Sequence, residues 1–411
     1  MKLFYNIGIY VANLVLQVLA LFNPKIKLGV KGRKNTFAQL KQSLLPTDKT
    51  FWFHCASLGE YEQGLPIFEK LKALYPTHKI VLSFFSPSGY EVRKNTDLAD
   101  VVIYLPIDTS KNAKKFIDVV NPELVIFVKY EIWPNLLSEI KKRKIRALLI
   151  SALFRKNQYY FKWYGSIMKN ALFTFEHIFT QNINSKKLLN TLGYDKVTVS
   201  GDTRFDRVSN QLKLDNELKF IEDFIGENLC LIFGSTWPED DKLFIDFINN
   251  SNIKNVKYLI APHNIKPSYI NSLKDQIKLK TTCFTEMAEP TINQSEVFIL
   301  DTIGLLSKAY NYADIAYVGG GAGTTGLHNI LEPAVFGIPI LIGKNFQDFP
   351  EAVALVNKKG VISIDSSEEF DAHIKRFVKN QDERLNTGQI NKEFIENNKG
   401  AVNQILDYVR K

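Results

Sequence analysis

Cysteine is scarce in this sequence, with three residues among 411. Cys55, Cys230 and Cys283 lie far apart and are odd in number, which argues against a disulfide framework and against a cysteine-based metal site. No group of histidine, cysteine, aspartate and glutamate has the spacing of metal ligands either, so neither a metal nor any other cofactor is predicted. The length exceeds what one hydrophobic core usually supports, which favours two domains.

Acidic residues are fewer than basic ones, 43 against 52, and the net charge is +9. Such a balance indicates an anionic partner: nucleic acid, an acidic membrane surface or a phosphorylated substrate. Because no zinc-finger, homeodomain or RNA-binding signature accompanies the charge, no nucleic-acid partner is predicted.

Residues 3–22 contain no charged side chain, and about 20 residues is the length that crosses a bilayer. Residues 1–24 are therefore predicted to form a membrane-anchoring helix, which spans the bilayer or lies in its interface. The alternative is an amphipathic or core helix packed on the first domain. An excess of positive charge after the segment predicts that the body of the protein is cytoplasmic. Lys2 precedes the segment, and the basic residues that follow it are Lys25, Lys27, Lys31, Arg33 and Lys34.

Short apolar runs alternate with helical patterns along the rest of the chain, which is typical of parallel sheets covered on both faces. The pattern predicts an α/β protein with two doubly wound, Rossmann-like domains, 25–210 and 211–411, that face a cleft. The last helix is a candidate for packing back on the N-terminal domain. Ligands are expected at the carboxyl ends of the strands. The predicted strands are 50–55, 79–85, 101–105, 124–128, 146–151 and 177–181, then 230–234, 257–261, 297–300, 315–318, 339–342 and 361–364.

Three loops that follow strands of the first series carry side chains suited to chemistry. Glu60 is expected at a helix start, where it can act as a general base on a hydroxyl or only complement the helix dipole. Gly59 beside it permits a tight turn or the close approach of a ligand. Glu131 allows the same two interpretations as Glu60. Arg204 lies between two aspartates and is a candidate either for binding phosphate or carboxylate or for an internal bridge.

Two loops of the second series point to an anion. Ser235 or Thr236 is expected to cap a helix whose first amides can bind phosphate or carboxylate. The glycine-rich run 319–328 is the strongest candidate, because its backbone can approach a nucleotide phosphate and is expected to lead into a helix. Asn329 and Glu332 would share one face of that helix, with Glu332 free to bind ribose hydroxyls. The alternative is a purely structural turn.

Six segments occur in order along the chain: HCASLGEYEQG, YLPIDTS, YEIWPNLL, VSGDTRFDRV, GSTWPEDD and GGGAGTTGLHNILEPAVFGIPILIGKNFQDFPEA. Together they resemble the 3-deoxy-D-manno-octulosonic acid (Kdo) transferases of lipopolysaccharide synthesis, which are glycosyltransferases of the GT-B fold. The resemblance covers nearly the whole chain. It implies CMP-Kdo as donor, a lipid A precursor as acceptor, and inverting, metal-independent transfer at the cytoplasmic face of a bacterial inner membrane.

The resemblance also implies roles for individual residues. Glu60 matches the catalytic base. The acceptor side is assigned to Ser57, Gly59, Glu131 and Arg204. The side that binds CMP and the donor is assigned to Ser235, Thr236, Pro262, His263, Gly321, Gly323, Gly326, His328, Asn329 and Glu332.

Two departures from the family pattern concern charge. Lys129 stands where many relatives have an acidic residue. Pro262 and His263 are followed by Asn264 where relatives often read Pro–Arg–His, so the phosphate contact would pass to Lys266, Lys344 or Arg204. Two other functions stay open: another GT-B enzyme, such as a sugar-nucleotide epimerase or a UDP-sugar transferase, and a non-catalytic scaffold that binds lipid or nucleotide at the membrane.

Overall fold

The chain forms two compact units in a computed structural model that describes residues 2–287 and 292–410. The first unit contains the residues up to Arg207 together with the segment from Lys399 onward. The second unit is Val208–Asn398. The boundary therefore falls inside a helix, three residues before the predicted boundary at residue 210, and the last helix belongs to the first unit.

A parallel sheet forms the centre of the first unit, with the strand order β3-β2-β1-β4-β5-β6-β7. Its strands are largely apolar and buried, as expected for a parallel sheet with helices on both faces. The sequence prediction found six of these strands and missed β7, which has three residues. The strands are β1 Thr50–Cys55, β2 Lys79–Phe84, β3 Val101–Tyr104, β4 Pro122–Val128, β5 Arg146–Ala152, β6 His177–Thr180 and β7 Val197–Val199.

The second unit repeats this plan, with the parallel order β10-β11-β9-β8-β12-β13-β14. The prediction missed β10, which is also three residues long. The strands are β8 Leu229–Thr236, β9 Val256–Pro262, β10 Thr281–Cys283, β11 Val297–Ile299, β12 Ile315–Val318, β13 Ile340–Gly343 and β14 Val361–Ile364.

Helices separate the strands in both units. Several begin at a proline, whose missing N–H is harmless in a first helical turn. They are α1 Lys2–Leu19, α2 Pro24–Ser43, α3 Leu58–Leu74, α4 Pro87–Arg93, α5 Ser110–Val120, α6 Pro134–Lys142, α7 Ser166–Leu172, α8 Ile183–Thr191, α9 Thr203–Gln211, α10 Lys219–Ile225, α11 Pro238–Asn250, α12 Pro267–Gln276, α13 Leu306–Ala309, α14 Leu331–Ala334, α15 Pro350–Asn357, α16 Ser367–Lys379, α17 Gln381–Asn398 and α18 Ala401–Val409.

Each sheet has one point where the strand order reverses. In the first unit this point lies between β1 and β4, and in the second it lies between β8 and β12. The loops that leave the two strands diverge at such a point and open a crevice at their carboxyl ends, where doubly wound proteins bind ligands. The loops predicted to carry chemistry after β1, β4, β8 and β12 therefore border these two points.

Helix α1 turns its apolar side chains outward. It is long and apolar enough to cross a membrane, and none of its residues is buried. Phe4 and Leu14 are 76% and 63% exposed. A core helix is therefore wrong, whereas the other alternative, an amphipathic helix packed on the first unit, agrees with the contacts of α1.

Polar groups hold α1 against the first unit. The hydroxyl of Tyr5 donates to Asp108 Oδ2 at 2.8 Å, and Asn135 Nδ2 donates to Asn6 Oδ1 at 2.8 Å. Burial raises the pKa of Asp108 to about 6. The helix thus has the reverse of the usual arrangement, because its polar side faces the protein and its apolar side faces outward.

Candidate functional site

The carboxyl group of Glu60 is buried where the first sheet reverses its strand order. Glu60 lies in the first turn of α3, directly after β1, and is 4% exposed. The backbone N–H of Ala56 donates to Glu60 Oε2 and turns the side chain back toward the end of β1. Burial and then the Glu131 carboxylate raise the pKa of Glu60 from 4.5 to about 7, against the opposing pull of the Ala56 N–H and Lys129. A carboxyl group that titrates near neutral pH is suited to accept a proton.

Glu131 is the second carboxylate at this point, and two aromatic residues fix it. Trp133 Nε1 donates to Glu131 Oε2 at 3.0 Å and to His54 Nε2 at 3.2 Å. His54 is fully buried on β1, and its Nδ1 lies 3.2 Å from the carbonyl oxygen of Ser83. Because that oxygen can only accept, Nδ1 carries the ring hydrogen. The structure therefore places the Glu131 carboxylate near Glu60 and holds Glu131 through the Trp133 indole.

The remaining acceptor-side candidates of the first unit have different surroundings. Ser57 is the N-cap of α3 but makes no side-chain cap hydrogen bond. Gly59 adopts an ordinary helical conformation, so no tight turn requires it, but a Cβ there would meet no atom within 4 Å. The space beside Gly59 is thus open. Arg204 contacts Asp202, with 2.9 Å from Nε to Oδ2, which is the internal bridge given above as its alternative role.

In the second unit, the buried carboxylate of Asp240 holds the glycine-rich run in place. Asp240 is fully buried in the first turn of α11. Its Oδ2 accepts the backbone N–H groups of Trp237 and Gly320 at 2.9 and 2.8 Å. Its Oδ1 accepts the Tyr317 hydroxyl at 2.7 Å and the Ala322 N–H at 3.3 Å. Two amides expected to meet a ligand phosphate are therefore already bonded to an internal anion.

The glycines of this run serve close packing. Gly326 has a φ of 97°, which disfavours any side chain. A Cβ on Gly321 would lie 3.1 Å from the backbone nitrogen of Gly343, and one on Gly323 would lie 3.0 Å from the side chain of Glu239. The backbone N–H groups of Thr324 to Gly326 have no partner within the described parts of the chain, so this later portion of the run is available to a ligand.

Three rings stack at the same edge of the second sheet. Trp237 lies 4.5 Å from His263, which in turn lies 4.7 Å from His328, measured between ring centroids. The ends of β8 and β9 bring them together, because Thr236 pairs with Pro262 and accepts the N–H of His263 at 3.0 Å. The structure thus brings together Thr236, Pro262, His263 and His328, which were predicted to bind CMP and the sugar donor.

The stacked rings have a defined hydrogen-bonding state. Trp237 Nε1 donates to His328 Nε2 at 2.9 Å. Since the indole N–H can only donate, the hydrogen of the neutral His328 ring lies on Nδ1, which can then donate to a ligand. Burial and then His263 lower the pKa of His328 to about 4, and burial lowers that of His263. At neutral pH the cluster therefore presents uncharged rings.

Two predictions about helix starts are wrong. Ser235 and Thr236 do not cap α11, because β8 continues through Thr236 and the N-cap is Trp237. Ser235 instead has a φ of 55°, at an irregularity in the pairing of β8 with β9.

The helix after the glycine-rich run begins later than predicted. It spans only Leu331–Ala334, so Asn329 precedes it and does not share a helical face with Glu332. Asn329 Nδ2 donates to Glu332 Oε1 at 3.1 Å, and Ser307 Oγ donates to Oε2 at 2.9 Å. Glu332 is thus bonded on both oxygens to neighbouring side chains.

Of the three basic residues proposed to contact the phosphate, two already form ion pairs within the protein. Lys344 contacts Asp365 at 2.6 Å, and Arg204 contacts Asp202. Lys266, at the N-cap of α12, has no ion-pair partner in the described ranges. Within residues 2–287 and 292–410, no group of three or more histidine, cysteine, aspartate or glutamate side chains is arranged to hold a metal ion.

Sequence reasoning missed the supporting residues of both sites. Asp240 lies three residues after the N-cap, where an acidic residue commonly accepts the cap N–H, and that spacing was its only signal. His54 and Trp133 had no signal at all, because a histidine within an apolar strand and a tryptophan before a proline resemble core residues.

Solved structures with the same fold support the architecture. The chain superposes on UDP-GlcNAc 2-epimerase from Neisseria meningitidis with a TM-score of 0.62 at 16% identity, covering 88% of this chain and 99% of that one. A glycosyltransferase from Rickettsia africae gives a TM-score of 0.57 at 15% identity, covering 88% and 98%. These superpositions support the GT-B architecture of the chain.

Comparisons with known sequences show which kind of glycosyltransferase this chain resembles. A family model described as "3-Deoxy-D-manno-octulosonic-acid transferase (kdotransferase)" matches residues 30–207. The 3-deoxy-D-manno-octulosonic acid transferase of Haemophilus influenzae is 27% identical, covering 89% of this chain and 87% of that protein. A bifunctional glycosyltransferase/methyltransferase of Fusobacterium nucleatum is also 27% identical over 94% of this chain, which spans 61% of its length.

Residues 30–207 thus match the Kdo transferase family model, and the relatives over most of the chain include Kdo transferases, which supports a glycosyltransferase. The expected resemblance to this family and the expected GT-B architecture are both confirmed. The roles of individual residues stay predictions.

Proposed function

We propose that this protein transfers Kdo from CMP-Kdo to a hydroxyl group of a lipid A precursor, with inversion, without a metal requirement and with Glu60 as general base. The observation that carries the proposal is the Glu60 carboxyl group, buried where the first sheet reverses and titrating at about 7. A base with this pKa is about half ionised at neutral pH and basic enough to take a hydroxyl proton in the transition state.

The reaction balances with this single base. The acceptor hydroxyl gives its proton to a Glu60 carboxylate oxygen as its own oxygen attacks the anomeric carbon of Kdo. The bond from that carbon to the CMP phosphate oxygen breaks on the opposite face, and CMP leaves with the electron pair. Glu131, fixed by Trp133, keeps the pKa of Glu60 high and so keeps the base strong.

The second unit supplies the groups that hold CMP. His328 presents Nδ1–H. The backbone amides of Thr324 to Gly326 lie just before it in the glycine-rich run, and Lys266 carries an unpaired charge. These donors are suited to phosphate oxygens and to the charge that develops on the leaving group. The Asn329–Glu332 pair is assigned to the ribose, with its hydrogen bonds already formed within the protein.

The outward apolar face of α1 supports a membrane location. We assign it to the interface of a bacterial inner membrane, with the body of the protein in the cytoplasm. The hydrogen bonds of Tyr5 and Asn6 hold the helix along the first unit, which favours an interfacial over a spanning position. An acylated acceptor would be reached from the same surface.

Glu60→Gln tests the catalytic assignment, with Glu69→Gln on the exposed side of the same helix as control. Transfer is measured by mass spectrometry of the lipid formed from CMP-Kdo and a lipid A precursor. Glu60→Gln is expected to lose about 10²- to 10⁴-fold in kcat, the usual contribution of a general base, and to retain CMP binding. The control is expected to stay active.

Two results would oppose the proposal in different ways. Near-normal turnover by Glu60→Gln would reduce Glu60 to a helix-start charge. Turnover or epimerisation of UDP-sugars, without any use of CMP-Kdo, would instead assign the chain another GT-B reaction.

A further inference from the structure

We propose that the groove between α1 and the first unit binds the anionic headgroup of a membrane phospholipid. The groove has a volume of about 380 Å³, within the roughly 300–1,000 Å³ of small-molecule sites. Helix α1 forms one wall, and α2 and the start of α5 form the other. The inference rests on the proposed membrane position of α1 and adds a specific lipid site to it.

The wall opposite α1 is strongly cationic. Arg33, Lys34 and Lys111 line the groove. The first acidic residue of the chain is Asp48, so no carboxylate of α1 or α2 balances this charge. A phospholipid phosphate would match it, since guanidinium and ammonium groups are the usual donors to phosphate.

Arg33 is held rigidly in this wall. Its Nε donates to the carbonyl oxygen of Leu105 at 3.1 Å, and one terminal nitrogen donates to that of Phe85 at 2.5 Å. The guanidinium also lies 4.4 Å from the Phe85 ring centroid. Burial lowers the pKa of Arg33 to about 10, so the group stays charged at neutral pH. It contributes a fixed positive charge to a site that is already formed.

Four other polar side chains of the groove have no protein partner within the described part of the chain. Lys34 and Lys111 form no ion pair there, and the side-chain amides of Asn13 and Gln17 make no hydrogen bond. Two ammonium groups and two carboxamides therefore face the same space. Such a set can bind the phosphate and the hydroxyl groups of a headgroup together.

The position of the groove favours a lipid over a free anion. Tyr10 lines the groove and is also 58% exposed, on the border of the outward apolar face. Val18 and Leu14 extend that face. A phospholipid can place its headgroup in the groove while its chains continue along the apolar side of α1, which a free phosphate cannot do.

The first test measures binding of the full-length protein to vesicles of phosphatidylcholine, with and without phosphatidylglycerol. The variant Lys34→Ala/Lys111→Ala removes the two unpaired charges of the groove. The control Lys31→Ala/Lys114→Ala removes one exposed lysine from each of the same helices, outside the groove. Diffuse attraction to an anionic surface would weaken equally in both.

The groove variant is expected to lose about tenfold more of its preference for phosphatidylglycerol than the control, as for a lost hydrogen bond to a charged group. An equal loss in both variants would overturn the site and leave only surface charge. Failure to bind either kind of vesicle would contradict the membrane position of α1, and the decision on the groove would then fall to the second test.

The second test uses dihexanoyl-phosphatidylglycerol below its micelle concentration, titrated by calorimetry, so that no bilayer is needed. Saturable binding to the wild type and the control, with loss in the groove variant, is expected. Absence of binding to the wild type, or unchanged binding to the groove variant, would overturn the proposal. Equally tight binding of inorganic phosphate would replace the lipid by a free anion.

Discussion

Glu60→Gln should make the protein more stable above neutral pH while it lowers kcat about 10²- to 10⁴-fold. Glu60 is almost fully buried and lies beside a second carboxylate, so its ionised form is held in unfavourable surroundings. Glutamine has nearly the same shape, carries no charge, and keeps an oxygen that can accept the Ala56 N–H. The substitution therefore removes the cost of the charge and keeps the local contacts.

The size and pH range of the effect follow from the pKa. A rise from 4.5 to about 7 corresponds to roughly 3 kcal/mol between the protonated and ionised forms. Because the pKa is raised in the folded state, the stability that protonated Glu60 provides is fully present below pH 4.5 and is lost as the pH rises through about 7. The variant has no such loss, so its advantage grows across this range and levels off above it.

Thermal unfolding of the full chain between pH 5 and pH 8.5, followed by calorimetry, measures the difference. At roughly 2–4 °C per kcal/mol for a unit of this size, the transition of the first unit in Glu60→Gln should lie about 6–12 °C above the wild type at pH 8 and close to it at pH 5. Asp195→Asn removes an exposed carboxylate from the same unit and serves as control, with no such divergence expected.

A parallel pH dependence of the wild type and Glu60→Gln would refute the reasoning. Lower stability of the variant at pH 8 would do so as well, because it would mean that the ionised carboxylate is stabilised by its surroundings. A loss of transfer by Glu60→Gln would then have to be explained without a strained base.

Two further predictions concern the second unit and α1. Asp240→Asn should weaken CMP binding at least about tenfold, as measured by calorimetry. The reason is that one amide oxygen cannot accept the four hydrogen bonds that hold the glycine-rich run in place. Unchanged affinity for CMP would mean that the Asp240 carboxylate has a purely structural role. The triple variant Val11→Gln, Leu14→Gln, Val18→Gln should remain folded and no longer float with phosphatidylcholine vesicles, because it makes the exposed apolar face of α1 polar. Undiminished flotation would argue against membrane contact through α1.

Much of the fold was accessible from the sequence because long apolar strands carry their own signal. All predicted strands form, and each series makes one parallel sheet. The two missed strands, β7 and β10, have three residues each and lie at sheet edges, where a short segment needs little apolar character. Length and edge position explain both omissions.

The sites were predicted less completely, because long-range contacts determine them. Glu60 and Glu131 could be placed at one sheet edge from the positions of their strands, but their proximity requires that β1 and β4 be neighbours. The start of α11 was misplaced because pairing with β9 extends β8 through Thr236, which the local sequence does not reveal. The apolar segment at the N-terminus likewise gave no sign of which of its faces would meet the protein.

A hydrogen bond from a tryptophan to a histidine occurs in both units, with a different consequence in each. In each, an indole N–H donates to an imidazole at the strand reversal, from Trp133 to His54 and from Trp237 to His328. In the first unit, the same indole also holds Glu131, so the contact supports a carboxylate that helps to raise the pKa of Glu60. In the second unit, the contact occupies Nε2 of an imidazole that burial and then His263 keep uncharged at neutral pH.

That difference limits the role of His328. With a pKa of about 4, it is protonated in only about one molecule in a thousand at pH 7, so it is a poor general acid. CMP does not require one, because a phosphate monoester with a second pKa of about 6 is a stable anion at neutral pH. The proposed reaction therefore needs a proton acceptor on the acceptor side and only neutral or cationic donors on the leaving side, and the two units provide these separately.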